Sequence, residues 1–109
     1  MLELKNTVHY NGHTKTIQTT PAFDAWFNAL RDRRARARIN IRIERLAAGN
    51  LGQYRTLTQG VTELKIDYGP GYRVYYVERH GVTYILLCGG DKSSQQKDID
   101  AALELAASV

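Results

Sequence analysis

Residues 61–92, VTELKIDYGPGYRVYYVERHGVTYILLCGGDK, decide the fold. Their β-branched and aromatic residues fall into three runs, 61–68, 72–79 and 82–88. Such residues suit a half-buried pleated surface. Gly69-Pro70-Gly71 and His80-Gly81 separate the runs. Glycine supplies the positive φ of a tight hairpin, and proline presets φ for a turn. The stretch therefore predicts an antiparallel meander of three strands. In the first, Leu64 and Ile66 share one face, and Glu63, Lys65 and Asp67 share the other. In the second, Tyr72, Val74, Tyr76 and Glu78 oppose Arg73, Tyr75, Val77 and Arg79. In the third, Ile85 and Leu87 alternate with Leu86 and Cys88. That run is almost wholly apolar, which predicts a central strand covered on both faces. If the strands pair as neighbours, Lys65, Arg73 and, just past the third strand, Lys92 can converge on one face.

Downstream, Gly89-Gly90-Asp91-Lys92 is expected to break the sheet. Ser93 with Gln96 fits a capping box, and Ile99, Ala102, Leu103 and Ala106 make an apolar helical face towards the C-terminus. Upstream, residues 51–58 begin the sheet, after a Gly49-Asn50 helix stop. Residues 31–45, RDRRARARINIRIER, hold seven arginines. Ile39, Ile41 and Ile43 alternate like a strand, but Ala35, Ile39, Ile43 and Leu46 fit one helical face, and the Ala and Arg content favours a helix. Thr20-Pro21 is a helix start, followed by Phe23, Trp26, Phe27 and Leu30 at helical spacing. The segment thus predicts a helical hairpin, 21–30 and 33–48. Residues 14–19 predict a short strand at the edge or start of the sheet. Asn11-Gly12 is a turn signal. His9 and His13 beside it read as solvated residues, and His80 reads as a turn residue.

The 109 residues make one domain with one modest core. The order of elements predicts a small α+β domain with helices packed on an antiparallel sheet. A net charge of +4 and a pI near 9.4 favour polyanions or an acidic partner. One cysteine, Cys88, excludes an intrachain disulfide and sits in an apolar run as a small hydrophobe. No Cys-His grouping has metal-ligand spacing, and no cofactor is implied. The N-terminus lacks a signal core, and no apolar run approaches the roughly 18 residues of a membrane span. A soluble, intracellular protein is the expectation.

Three segments carry a resemblance: Glu63-Leu64-Lys65-Ile66, Gly71-Tyr72-Arg73-Val74-Tyr75-Tyr76, and the run 86–99, LLCGGDKSSQQKDI. Over roughly residues 23–105 the chain resembles the RelE/ParE toxin superfamily of bacterial toxin–antitoxin modules, nearest to its HigB-like addiction-module killer branch. The resemblance implies a RelE-like fold with an N-terminal helical hairpin and a C-terminal helix. It implies a ribosome-dependent, metal-independent endoribonuclease that cuts mRNA in the decoding site. It also implies a cognate antitoxin, often an adjacently encoded helix-turn-helix repressor. Arg73 matches the family's strand arginine, Lys65 a basic residue of the preceding strand, and Lys92 the basic residue after the last strand. Glu63 stands where the family often has a second lysine, and no tyrosine follows Tyr84.

RNA cleavage by its own 2′-hydroxyl needs a proton acceptor, a proton donor and stabilisation of a phosphorane. Arg73 can hold the scissile phosphate bidentately and offset its growing charge. Lys92 adds a second cation or protonates the leaving 5′-oxygen. Lys65 is a candidate base, since a lysine serves so where neighbouring cations favour its neutral form; Glu63 on the same face competes for that role. Tyr72 or Tyr75 can stack a base, and Arg55, Arg34 and Arg38 can contact RNA phosphates. Arg42 and Arg45, with the same helix's other arginines, offer contacts to an acidic antitoxin or form a solvated face. Two other readings share the fold: a ParE-like inhibitor of DNA gyrase without nuclease activity, and a non-toxic module that binds antitoxin.

Overall fold

Thr20 sets where the helical layer meets the sheet. Its hydroxyl accepts from the Phe23 amide, capping helix α1 (Pro21–Ala29), and donates to the Leu87 carbonyl. Pro21 fills the first helical position, where no amide partner is needed. Asp32 caps α2 (Arg33–Ala47) by accepting from the Arg34 and Ala35 amides. The helical hairpin is thus present with the expected bounds to within one residue. The computed structural model describes residues 15–109 and the backbone of the strand Asn6–His9. Asn11-Gly12 and His13 lie outside the described residues.

Asn6–His9 is β1 and Thr16–Thr19 is β2; β3 (Tyr54–Thr56), β4 (Thr62–Ile66), β5 (Tyr72–Arg79) and β6 (Thr83–Gly90) follow. A turn of 3₁₀ helix, Lys92–Ser94, leads into α3 (Gln95–Ser108). The strands form one sheet in the order β1-β2-β6-β5-β4-β3. The β2–β6 pair is parallel and the others are antiparallel, which bears out an antiparallel-dominated α+β domain. β2 is not an edge strand, because β1 pairs onto its far side with Val8 opposite Ile17. The meander's turns fall at Gly69–Gly71 and His80–Gly81, with positive φ at Gly69, Gly71, His80 and Gly81. Among the described residues no helix is long and apolar enough to cross a membrane.

The sheet is covered on both faces. Ile39, Ile43 and Leu46 of α2 and Phe23 of α1 bury Leu64, Ile66, Val74, Tyr76 and Leu86 on one face. Ala102 and Ala106 of α3 bury Tyr75, Val77, Ile85, Leu87 and Cys88 on the other. Two expectations for β6 need correcting. Its alternation breaks, because Tyr75 pairs with Cys88 but Tyr76 with Leu86, so Leu87 is an extra residue. Cys88 therefore shares the α3 side with Leu87, and the Thr20 hydroxyl satisfies the bulge carbonyl.

Gly89 and Gly90 do not break the sheet; they pair with Val74 and Arg73. Their lack of side chains is what the packing needs. A Cβ on Gly89 would lie 2.3 Å from the Trp26 ring, and one on Gly90 1.7 Å from the Asp98 carboxylate. Helix initiation also differs from expectation. Asp91 caps the 3₁₀ turn, accepting from the Ser93 amide and hydroxyl with Ser94 completing the box, and Ser94 rather than Ser93 is the N-cap of α3, with no side-chain cap bond. Gln96 turns instead to Asp100.

Candidate functional site

The β4–β5 register places Lys65 opposite Arg73 and Glu63 opposite Tyr75. All four are on the α3 side of the sheet, because Leu64, Ile66 and Val74 between them face α1 and α2. Helix α3 packs on β5 and β6, so the β3–β4 end of this face is left open. There a cleft of about 290 Å³ is lined by Gln53, Tyr54, Arg55, Glu63, Lys65, Arg73 and Gln95.

Arg73 forms the floor and is only 6 % exposed. Its Nη1 donates to the Gly71 carbonyl at 2.8 Å. Its Nε lies 3.7 Å from Glu63 Oε2, too far for a hydrogen bond, and is buried without a partner. A buried N–H left unpaired costs about 1–3 kcal/mol, more on a charged group. Glu63, 4 % exposed, is by contrast saturated. Its Oε2 accepts from the Tyr75 hydroxyl at 3.0 Å, Gln95 Nε2 at 3.1 Å and Arg55 Nη2 at 3.4 Å. Arg55 Nε adds an ion pair at 3.4 Å to Oε1. Burial, and then the Glu63 carboxylate, push the Tyr75 hydroxyl well above the usual phenol range, so it stays a donor to Glu63.

Lys92 borders the same floor from the β5–α3 side. A Cβ on Gly71 would stand 3.5 Å from Arg73 Nη1 and 3.6 Å from Lys92 Cβ. The Lys92 amide donates to the Pro70 carbonyl, and its side chain is exposed. Next to it Asp91 is held below the usual carboxylate range by the Ser93 hydroxyl first and, least, by the charge of Arg73. The fold therefore brings Lys65, Arg73 and Arg55 around one opening, with Lys92 beyond Gly71 and outside its lining. Arg55 arrives through its register with Glu63.

Several expectations change. Glu63 is a poor candidate base, since its carboxylate accepts from Tyr75, Gln95 and Arg55 and faces the Arg73 guanidinium. Tyr75 is 0 % exposed and cannot stack a base. Tyr72 lies on the opposite face, buried edge-on against Trp26 at 6.3 Å. Tyr54, 52 % exposed, borders the cleft with Gln53 and Gln95, but its register opposite Leu64 turns its side chain to the α2 side of the sheet. A tyrosine in a polar run, Gln53-Tyr54-Arg55, was the signal in the sequence that marked Tyr54.

No arginine side chain of α2 lines the cleft. Arg34 and Arg45 are exposed, and Arg38 stacks on the Tyr68 ring at 4.7 Å. Arg38, Ile41, Arg42, Arg45, Ile66 and Asp67 line a second, smaller cavity of about 190 Å³. Arg42 is not a free partner contact. It donates to three backbone carbonyls, those of Lys65, Leu51 and Gln53. Cys88 is inert, its thiol pushed up to about 12 by burial and then by Asp98. Among the described residues no group of His, Cys, Asp or Glu is placed to hold a metal ion.

The cleft thus sets a buried guanidinium, Arg73, beside the cationic side chains of Lys65 and Arg55 and the carboxylate of Glu63. The family model described as "Phage derived protein Gp49-like" matches residues 25–108. A protein of Haemophilus influenzae described as "Uncharacterized protein" is 53% identical over 93 residues, 85% of this chain and 94% of its own length. No solved structure matches.

Proposed function

The chain belongs to the phage-derived Gp49-like family, and from that premise we propose that it is the toxin of a type II toxin–antitoxin module, cutting mRNA on the ribosome at the Arg73 cleft. The family is associated with toxin–antitoxin systems. One observation carries the reading furthest: a buried arginine with an unfilled Nε–H at the base of an open, cation-rimmed cleft. A scissile phosphate meets the cleft-facing edge of that guanidinium, whose Nε stays turned to Glu63. A phosphorane, with more charge on its equatorial oxygens, binds Arg73 more strongly than the ground-state phosphate does. Glu63 and the Gly71 carbonyl hold the guanidinium in place, so no reorganisation is needed as charge develops.

The RelE-like layout and the metal-independent route through the 2′-hydroxyl belong to the same proposal. Lys65, across from Arg73, takes the 2′-hydroxyl proton, and Lys92 returns one to the leaving 5′-oxygen. Arg34 and Arg38, with a polyanion partner, steer RNA; Arg45 meets an acidic antitoxin.

The test is induction of the chain alone in a bacterial host, with mapping of mRNA 5′ ends, beside an Arg73→Met, Lys92→Ala variant. The expected result is growth arrest with new cuts inside translated frames, reduced roughly 10²–10³-fold or more in the variant. Arrest with intact messages and altered DNA supercoiling moves the function to gyrase inhibition. No arrest from a folded protein leaves an antitoxin-binding module.

A further inference from the structure

Arg42 stands on the basic helix, yet its guanidinium is spent on the edge of the cleft. Nη1 donates to the Lys65 carbonyl, and Nη2 to those of Leu51 and Gln53. These three carbonyls belong to the two segments that carry Gln53, Tyr54 and Lys65 to the cleft rim. β3 covers β4 only from Thr62 to Leu64, so Lys65 lies beyond the end of the ladder. One backbone bond, from the Lys65 amide to the Gln53 carbonyl at 3.0 Å, continues the pairing there. Arg42 grips the carbonyls on both sides of that bond.

The sequence makes room for the grip. Gly52 lies between two of the acceptors, with φ +63°, and a Cβ there would stand 2.8 Å from Arg42 Nη2 and 3.0 Å from Cζ. Burial, and then the Arg45 charge, pull the Arg42 guanidinium below its usual range, so it is held at some cost beside another cation.

We infer that Arg42 is a positioning residue for the cleft: it fastens the Tyr54 and Lys65 rim to α2, acting through backbone carbonyls and touching no substrate. This rests on the reading of the cleft as the RNA site. It also gives the basic helix face a way to affect that site, because a carboxylate docked beside Arg38 and Arg45 competes for the same guanidinium. A lysine cannot replace Arg42, since a single ammonium lacks the planar fork that spans the acceptors.

The experiment uses the whole chain and two readouts. One is hydrogen exchange of the Lys65 amide. The other is affinity for a short single-stranded RNA with 2′-O-methyl riboses, which cannot be cut. Arg42→Lys keeps the charge and loses the fork. Gly52→Ala keeps Arg42 and displaces it. Both should speed Lys65 exchange and weaken RNA binding by roughly tenfold, the scale of a charge-assisted hydrogen bond. The double variant should be little worse than either single one. Gly49→Ala imposes similar backbone strain at φ +94° with nothing near its Cβ, and Arg33→Ala removes a cation from the same helix; both should leave the two readouts unchanged.

Wild-type exchange and affinity in Arg42→Lys, or loss only when the charge is removed, would overturn the inference in favour of simple steering. If Arg73→Met leaves RNA binding intact, the cleft reading fails instead. Lys65 exchange then still decides whether Arg42 holds the rim.

Discussion

Leu64 and Glu63 are neighbours on β4, both buried, and they face opposite ways. Leu64 meets the aliphatic layer of α2. Glu63 meets Tyr75, Gln95 and two arginines. The apolar face is held by non-directional burial, which tolerates changes that conserve volume. The polar face is held by directional bonds around one carboxylate, and removing that carboxylate leaves a buried guanidinium without its counter-charge. Such a cluster adds little stability of its own, because a buried ion pair is often no better than an apolar replacement. The polar half therefore hangs on one carboxylate, where the apolar half rests on summed volume.

The largest effect should come from Glu63→Ala. It uncovers the Arg73 charge and should cost about 3–5 kcal/mol, read as a lower midpoint in urea unfolding. Leu64→Ala, on the other face, should cost about 2–5 kcal/mol through its cavity, while Leu64→Met should cost less than about 1.5 kcal/mol. If the two faces respond alike to volume-conserving swaps, the comparison breaks. The triple change Glu63→Leu, Arg73→Met, Tyr75→Phe sharpens it. This variant should unfold within about 1–2 kcal/mol of the parent, or above it, and lose RNA binding, because the whole network is exchanged for apolar volume.

Removing the Thr20 hydroxyl by Thr20→Val should cost about 1–2 kcal/mol in the same assay, since it takes away both the α1 cap and the donor to the bulge carbonyl. The smallest effect concerns acid. Asp91 is held below its ordinary value of 3.8, with the Ser93 hydroxyl as first cause. Its contribution is therefore complete above that value and is lost as pH falls through the lower, folded one. Asp91→Asn should flatten the stability curve only in that acid window, with the slope unchanged near neutrality.

How much of this was legible depends on how local each signal is. Gly-Pro-Gly and His-Gly mark turns whatever surrounds them, and Thr20-Pro21 and the Ile39, Ile43, Leu46 spacing mark helices. Arg73 stood out as a cation within an apolar strand, and the one-to-one pairing of consecutive strands brought it to Lys65. The tyrosines were misplaced for a definite reason. Seven tyrosines and two phenylalanines share the chain, and alternation along a strand says which share a face, not which face a helix covers.

Propensity, capping and alternation act over a few residues, so the order of helices and strands, the turns and the central arginine can be read along the chain. The remaining features depend on packing. The bulge at Leu87, the need for bare backbone at Gly89 and Gly90, the saturation of Glu63 and the reach of Arg42 to three carbonyls all join residues distant in the chain. Their geometry is set by how two layers of helices seat on one sheet, and packing of that kind is a property of the whole chain at once.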